Sequence, residues 1–187
     1  TLRNVEKELA GKQAVLAGEG TGKGIAAKLL RVQSPRDIMQ WLKRLDAGEA
    51  QWTDKGYESH SVFGAADVTT ALTLPKPGPE KEFEVVGIPL EGPGFYVVEL
   101  VSPRLGQALL KDAKPYHVSA GALVTNLAVH FKWGRESSLV WVTKLDSGEP
   151  ADGADVAVMD CSGRVYYEGR TDASGIARVR KSLPKRD

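Results

Sequence analysis

The strongest constraint on the fold of this chain is the period of its hydrophobic pattern after Val68. Apolar and polar residues alternate there in short runs, and glycine, proline or aspartate interrupts the chain between runs. One run places four large apolar side chains on a single face: Leu127, Val129, Phe131 and Trp133. A period of two, with turn signals at this spacing and no helix between the runs, predicts antiparallel β-sandwiches.

The pattern predicts strands over 68–74, 82–86, 95–101, 127–133, 138–145, 154–160, 164–168 and 176–180. In the run 95–101, Tyr96, Val98 and Leu100 form a clean apolar face. Glu99 lies on the opposite side, and its charge predicts that this side faces solvent.

The first third of the chain has a helical signal instead. Ser34 is placed to cap a helix, Pro35 occupies the first helical position, and an acidic residue, Asp37, follows three residues after the cap. Apolar residues then recur at helical spacing: Ile38, Trp41, Leu42 and Leu45. We expect a helix over 35–47 that stops at Gly48, and a weaker one over 2–10.

A β-sandwich of this kind takes roughly 100 residues, and the sequence has 187. We therefore expect one sandwich domain over 1–120, carrying the helical segment 35–47, and a partial second sandwich over 121–187. The small apolar residues of 119–125 are interpreted as a rather stiff link between the two. A sandwich that lacks its last strands has open edges, so we expect a partner strand from another copy, or disorder near 182–187.

The glycine-rich stretch 16–29, LAGEGTGKGIAAKL, suggests a phosphate-binding loop. A Walker A loop fails at both ends, because Ala17 replaces its first glycine and Gly24 replaces the serine or threonine after Lys23. The dinucleotide-binding pattern fails as well, because Lys23 or Ile25 stands where its third glycine belongs. We expect no nucleotide here, and interpret the stretch as a flexible connector that leads into a strand.

Other chemistry finds little support in the sequence. The formal net charge is +1, from 25 basic and 24 acidic residues, which predicts no nucleic-acid partner. The histidines are scattered and none has a partner at zinc-ligand spacing: His60, His117 and His130. The single cysteine, Cys161, occupies a predicted hairpin turn without a neighbouring histidine. We therefore expect no catalytic, cofactor-binding or metal-binding residue in this chain, and no enzyme activity.

Two further residue sets leave alternatives open. The carboxyl groups of one region are spaced like solvated strand faces and do not suggest a glycosidase acid pair: Glu82, Glu84, Glu91 and Glu99. Four aromatic residues are compatible with a sugar-binding platform or with core and inter-domain packing: Trp133, Trp141, Tyr166 and Tyr167.

Three stretches resemble bacterial α2-macroglobulins. They are GFYVVELVSPR at 94–104, LVTNLAVHFKWGRESSLVWVTKL at 123–145, and GEPADGADVAVMDCSGRVYYEGRTDASGIARV at 148–179. The last is similar to a macroglobulin-like domain, with recurring turn markers: Pro150, Gly153-Ala154, Gly163 and the Thr171-Asp172…Gly175 element. Glycines serve positive-φ turn positions, and Asp172 can close its turn with its side chain. Residues 1–67 carry no matching motif.

The resemblance implies tandem macroglobulin-like domains that belong to a broad-spectrum protease inhibitor of the Gram-negative periplasm. The parent protein would be anchored to the inner membrane as a lipoprotein. In this family a protease cuts a bait region, the scaffold rearranges, and a Cys-x-Glu-Gln thioester captures the attacker covalently. The implied partners are target proteases, neighbouring macroglobulin-like domains and, by family association, a peptidoglycan synthase.

The family's reactive residues have no counterpart in this sequence. Ser162, Gly163 and Arg164 follow Cys161, so Cys161 is not the thioester cysteine, and neither a bait-like segment nor a lipid-anchor cysteine near Thr1 is found. Our leading hypothesis is a scaffold fragment of such an inhibitor. The alternative is a free-standing adhesion or glycan-binding module, and exposure of Trp133 and Trp141 to solvent would favour it.

Overall fold

The computed structural model describes residues 2–3, 25–48, 51–54, 56–74, 83–84, 87–112 and 114–184, with the backbone alone at 2–3, 51–52, 56–57 and 83–84. The chain divides into two compact units, Thr1–Val124 and Thr125–Asp187. The division falls inside the stretch 119–125 that the sequence suggested as the link.

Unit 1 is built around an antiparallel sheet of four strands. In chain order its strands are β1 (Leu2–Arg3), β2 (Ala26–Val32), β3 (Gln51–Thr53), β4 (Gly56–Glu58), β5 (Thr70–Leu72), β6 (Phe83–Glu84), β7 (Gly94–Ser102) and β8 (Tyr116–Val124). The main sheet has the order β5-β2-β7-β8, while β1 pairs with β6 and β3 with β4. The nine-residue β7 is central, and five consecutive residues of it, 95–99, are buried.

A helix packs against one face of this sheet. After a 3-10 turn, Pro35–Asp37, which Ser34 caps by accepting a hydrogen bond from the Arg36 amide, helix α1 runs over Ile38–Gly48. Trp41 of α1 joins Phe95 and Val97 of β7 in the core of the unit. A second, shorter helix, α2, covers Pro103–Leu109.

One arginine braces α1 against the segment that follows β4. The Arg44 guanidinium lies 4.0 Å from the centre of the Trp41 ring and donates hydrogen bonds to the Val62 carbonyl and the Asp67 carboxyl group. The hydrogen bond from Arg44 holds the pKa of Asp67 below its ordinary value.

Unit 2 consists of two small antiparallel layers. Its strands are β9 (Leu127–Lys132), β10 (Ser138–Lys144), β11 (Asp155–Met159), β12 (Val165–Arg170) and β13 (Ile176–Val179). One layer is the sheet β13-β10-β9, and the other is the hairpin β11-β12. Val140, Val142 and Ala177 of the sheet form the core, and Val156 and Val158 of the hairpin pack against it.

The mainly β, antiparallel class predicted from the sequence is confirmed, and the helix predicted over 35–47 is present as the 3-10 turn and α1. Each strand predicted from the alternating pattern has a counterpart, though β5 is shorter than expected, and of the predicted strand 82–86 only 83–84 lie among the described residues. The strand expected after the glycine-rich stretch is β2. None of the helices among the described residues has both the length and the apolar character that a bilayer span requires.

Two local predictions are corrected, and one helix was not predicted. The segment 119–124, interpreted as a link, belongs to β8 and pairs with β7 along its length. Its small residues suit a strand here, because Gly121 lies against the Phe95 ring, where a Cβ would approach within 2.9 Å. Residues Leu2–Arg3 form a strand and not the start of a helix, while 4–10 lie outside the described residues. The helix α2 was not predicted.

The glycine that ends the Thr171-Asp172 element carries a strict steric requirement. Gly175 has φ +72°, and a Cβ there would lie 2.4 Å from the Val142 carbonyl oxygen. Gly148 has the same φ, but a Cβ there would meet nothing within 4 Å. Alanine substitutions at these two glycines therefore separate the free-energy cost of a left-handed backbone from that of a steric clash.

We expect Gly148→Ala to lower the free energy of unfolding of unit 2 by about 1 kcal/mol, the cost of a positive φ. Gly175→Ala should cost about 2 kcal/mol more, since the backbone of β10 must also move. Urea titration of both variants measures the difference. Equal losses would mean that the approach to Val142 imposes no requirement.

Candidate functional site

The glycine-rich stretch 16–24 lies outside the described residues. Its interpretation as a connector without nucleotide therefore stays a prediction. The described part of the molecule instead contains a buried polar cluster in unit 1, two side-chain-closed turns in unit 2, and exposed aromatic residues on β9 and β10.

A buried carboxyl group lies in the centre of unit 1. Glu99 of β7 is 0% exposed, and its oxygens accept hydrogen bonds from Ser61 Oγ at 3.0 Å and from the Val62 amide at 2.8 Å. Nδ1 of His117, on β8, lies 3.4 Å from the nearer oxygen of Glu99 but makes no hydrogen bond. Because a buried acid needs partners, Glu99 fixes the segment 61–62 against the sheet.

Ser59 attaches the same segment to β8. Its hydroxyl group accepts a hydrogen bond from the His117 amide at 2.8 Å and donates one to the His117 carbonyl at 3.1 Å. Ser59 is itself buried. The segment 59–62 is therefore hydrogen-bonded to both β7 and β8 through side chains.

The burial of Glu99 corrects the prediction that its face of β7 is solvated. Alternation failed because both faces of this strand are covered: Phe95 and Val97 lie on one, Tyr96 and Val98 on the other. A usable signal existed in the sequence, since Glu99 is the one charged residue in GFYVVELVS. An acid inside a run that is apolar on both faces indicates a buried carboxyl group with partners.

The presence of serine, histidine and carboxyl groups in one cluster does not make a nucleophilic site. A catalytic triad needs a serine hydroxyl bonded to the imidazole ring and the ring bonded to the carboxyl group. Here Ser59 bonds to the backbone of His117, and Ser61 donates directly to Glu99. The cluster therefore joins elements of the fold and does not activate a nucleophile.

The Thr171-Asp172…Gly175 element closes unit 2 by two sets of hydrogen bonds. The buried Thr171 hydroxyl donates to the Ala151 carbonyl at 2.6 Å and accepts from the Ala154 amide at 2.8 Å. Asp172 Oδ1 accepts hydrogen bonds from the amides of Ser174 and Ile176. The side-chain closure by Asp172 that the sequence indicated is confirmed.

The hairpin turn between β11 and β12 is organised by Asp160. Its carboxyl group accepts hydrogen bonds from the amide and hydroxyl of Ser162, from the Arg164 amide and from the Tyr166 hydroxyl. The bond from the Ser162 hydroxyl is the main cause that lowers the pKa of Asp160 to about 2. Cys161 is a free, exposed thiol in this turn.

The remaining candidate residues are dispersed. The side chain of His60 contacts Glu58, that of His130 contacts the Trp141 ring, and that of His117 lies near Glu99. Across the described ranges no group of three or more histidine, cysteine or acidic side chains could hold a metal ion. Of the carboxyl groups considered for a glycosidase pair, Glu82 lies outside the described residues, and Glu84 is described by its backbone alone.

The tryptophans of unit 2 are exposed, at 47% for Trp133 and 41% for Trp141. The Trp141 ring lies 5.3 Å from that of His130, and the Trp133 ring 6.3 Å from that of Phe131. His130 and Phe131 are adjacent in β9, so their side chains point to opposite faces of the sheet. The two tryptophans therefore do not share one platform. Their exposure, taken alone, does not favour a scaffold over a glycan-binding module.

Comparison with known proteins identifies the type of the second unit. The family model of the bacterial alpha-2-macroglobulin MG3 domain matches residues 124–187. None of the curated proteins matches the chain.

Two solved structures have a similar fold, and both are of native alpha-2-macroglobulin from Escherichia coli. The one spanning domains NIE-MG1 has a TM-score of 0.53 and 14% identity, over 84% of this chain and 74% of that chain. The one spanning domains MG0-NIE-MG1 has a TM-score of 0.51 and 14% identity, over 87% of this chain and 49% of that chain. At this identity the likeness establishes the fold.

We expect Glu99→Ala to lower the free energy of unfolding of unit 1 by about 2–4 kcal/mol, because it leaves the buried Val62 amide without its acceptor and opens a cavity in the core. Glu99→Gln should cost less, since an amide oxygen can still accept from Val62. Glu91→Ala, on an exposed acid, is the control and should change stability by less than about 0.5 kcal/mol. Loss of hydrogen-exchange protection at the Val62 amide would report the broken bond directly, and retained protection in Glu99→Ala would contradict the assignment.

The Asp160 turn predicts a titration. Because the pKa of Asp160 is lower in the folded hairpin than in an unfolded chain, its ionised form stabilises the hairpin above about pH 4. That contribution is lost as the pH falls through about 2. Ser162→Ala should raise the pKa of Asp160 in a carboxyl-detected NMR titration, and Ser147→Ala, in a different turn, should leave it unchanged. An unaltered pKa in Ser162→Ala would show that the hydroxyl is not the main cause.

Proposed function

We propose, from the match of residues 124–187 to the family model of the bacterial alpha-2-macroglobulin MG3 domain, that the chain is a scaffold part of a bacterial α2-macroglobulin-type protease inhibitor. The observation that carries the proposal is the match of unit 2 to that family. The turn markers quoted from the sequence support it, because they include the residues that close unit 2: Thr171, Asp172 and Gly175.

The role we propose is mechanical. Each unit has its own buried core, one around Trp41 and Val97 and the other around Val140 and Val142. Units with separate cores move as bodies, which is how a scaffold transmits a cleavage event to a distant reactive group. In this proposal the bait region and the thioester lie in parts of the inhibitor other than these residues.

The exposed thiol of Cys161 takes no part in covalent capture under this proposal. A thioester of this family links the cysteine to the glutamine of Cys-x-Glu-Gln, and Cys161 is followed by Ser-Gly-Arg. The carboxyl group of Asp160 bonds to Ser162, Arg164 and Tyr166 in the turn that carries Cys161. None of these hydrogen bonds of the hairpin joins the Cys161 thiol to a base that could activate it.

The finer parts of the proposal follow from the family resemblance. We place the parent protein in the periplasm, anchored to the inner membrane as a lipoprotein. Its targets would be proteases, its immediate partners neighbouring macroglobulin-like domains, and a peptidoglycan synthase a functional associate.

A second candidate function, a free-standing glycan-binding module, rests on the exposure of Trp133 and Trp141. Exposed indole rings can stack on sugar rings, but these two face opposite sides of the sheet, so each would bind separately. A shift of tryptophan fluorescence on adding peptidoglycan fragments, lost in Trp133→Ala or Trp141→Ala, would favour this function.

The scaffold proposal predicts the behaviour of the polypeptide that contains these residues in its own cells. We expect an antiserum against the chain to recognise a band much larger than 20.2 kDa in the periplasmic or inner-membrane fraction. Added trypsin should convert part of this band into adducts that survive denaturing electrophoresis, and pretreatment with methylamine should prevent them, because the amine opens the thioester first.

The purified 187-residue chain is the matched control. A trapped protease is shielded from large inhibitors, and a thioester incorporates amines. The purified chain should therefore neither shield trypsin from a macromolecular inhibitor nor incorporate labelled methylamine. Stoichiometric trapping of trypsin by the purified chain, or a cellular band confined to the cytosol, would contradict the proposal.

A further inference from the structure

The sheet of unit 2 has a second face, which points away from its core. Val140 and Val142 of β10 are buried with the β11-β12 hairpin packed against them, so the residues that alternate with them lie on the opposite side. We call this side the outer face; its side chains are those of Ala128, His130, Lys132, Leu139, Trp141, Thr143, Ile176 and Arg178. The outer face contains a lysine, an arginine and a histidine but no acidic residue.

Two cations of the outer face flank the middle strand of the sheet. Lys132 and Arg178 both pair with Leu139, from the two sides of β10. Because neighbouring strands lie about 4.8 Å apart, the backbones of the two cations are about 10 Å apart. Both side chains are exposed, and within the described part of the chain neither makes a hydrogen bond or an ion pair. Their charges are therefore available to an anionic partner.

Trp141 lies diagonally next to both cations. It pairs with His130 on one side and with Ile176 on the other, at the next position of the outer face after Leu139. Diagonal neighbours are about 7–8 Å apart, which long side chains can bridge. The indole ring is 41% exposed and lies 5.3 Å from the imidazole ring of His130. The outer face therefore presents an accessible indole ring beside two exposed cations.

The size of the outer face restricts what can bind there. It is two strand separations wide, about 10 Å, and residues 139–143 extend it over about 14 Å. The area is thus on the order of 200 Å², well below the ~800 Å² that each partner contributes to a standard protein interface. Sites for small molecules, in contrast, are concave, and the outer face is the surface of a sheet. A narrow, extended polymer matches this face best.

The hydrogen-bonding groups distinguish an acidic peptide from an acidic glycan. Lys132 and Arg178 only donate, and among the side chains of the outer face only Thr143 and His130 can accept. A peptide laid on this face would cover backbone N–H groups that find few acceptors there. A sugar ring can instead place its C–H face on Trp141 and keep its hydroxyl groups in water, while its carboxylates accept from the two cations.

We propose that the outer face binds a linear acidic polysaccharide, with one sugar ring stacked on Trp141 and carboxylates of the chain paired with Lys132 and Arg178. The proposal rests on the second candidate function only in that an exposed tryptophan binds a sugar, and it adds the class of the sugar and the residues that select it. It does not depend on the inhibitor function.

A titration of the full chain with hexameric oligogalacturonate, which carries a carboxylate on every sugar, tests the proposal. In ¹H–¹⁵N spectra the indole N–H signal of Trp141 should shift and saturate, and that of Trp133 should not move. We expect a dissociation constant on the order of 0.1–1 mM, because one stacked ring and two ion pairs make the contact. Added salt should weaken binding, since both ion pairs are exposed.

Variants on the two sides of the sheet locate the site. Arg178→Glu should weaken binding about tenfold or more, because it places a carboxylate next to those of the ligand, and Trp141→Ala should weaken it by a similar factor. Trp133→Ala and Lys144→Ala are the matched controls, since they remove an aromatic ring and a cation from the other side of the sheet. Both should bind like the unmodified chain. Circular dichroism of each variant establishes that it is folded.

Two further probes separate the proposal from its alternatives. Maltohexaose, a neutral glycan, and hexaglutamate, an acidic peptide, should each bind about tenfold more weakly than oligogalacturonate, or not at all. Equal binding of maltohexaose would overturn the proposal while leaving the second candidate function in place. Equal binding of hexaglutamate, a Trp141 signal that does not shift up to about 10 mM oligogalacturonate, or undiminished binding by Arg178→Glu would also overturn it.

Discussion

The buried carboxyl group of Glu99 is the contact on which the arrangement of unit 1 depends. It lies on the helix-facing side of β7 and holds Val62 by its amide. Val62 in turn packs with Trp41 and receives Arg44 at its carbonyl, so the segment after β4, the helix α1 and the central strand meet at one point. An acid placed there costs desolvation unless each oxygen is bonded, and the bonds from Ser61 and Val62 offset that cost. The position of a loop that has little regular structure is thereby determined by a side chain of the sheet.

Unit 2 reaches order by a different route. Its core is small, and β9 contributes exposed apolar residues instead of closing it. The hydroxyl of Thr171 and the carboxyl group of Asp172 hold the turn residues at fixed positions, and the Gly175 carbonyl accepts a hydrogen bond from Val142. In a two-layer unit with few buried side chains, these bonds restrain the turn, because Thr171 connects it to Ala151 and Ala154 and Gly175 connects it to β10.

The sequence correctly predicted the elements whose residue pattern is compatible with a single structure. It failed where two different structural environments give the same residue pattern. The helix at 38–48 was predictable because Ser34, Pro35 and the spacing of Ile38, Trp41 and Leu45 agree. The alternation at 127–133 correctly predicted a strand with one apolar face, but it did not determine whether that face is buried, and Val129 is 62% exposed. Alternation reports which residues share a face, and burial depends on whether another layer covers that face. The prediction for Glu99 was wrong for the converse reason. A charged residue in a strand normally indicates a solvent-exposed face, but the Glu99 carboxyl group is buried and hydrogen-bonded.

Some of the residues that carry the family resemblance are turn residues, and there is a physical reason why such residues are informative. A core position accepts any apolar side chain of suitable volume, so two chains with 14% identity can share a fold while few of their core residues match. A turn position is stricter. Gly175 must have a positive φ and no Cβ, and Asp172 must be short enough to reach the amides two and four residues ahead. Substitution at such positions removes a bond or creates a clash, whereas substitution in the core changes a volume. The family model matches unit 2, which relies on turns, whereas for unit 1, which packs around a buried acid, the comparisons show the fold alone.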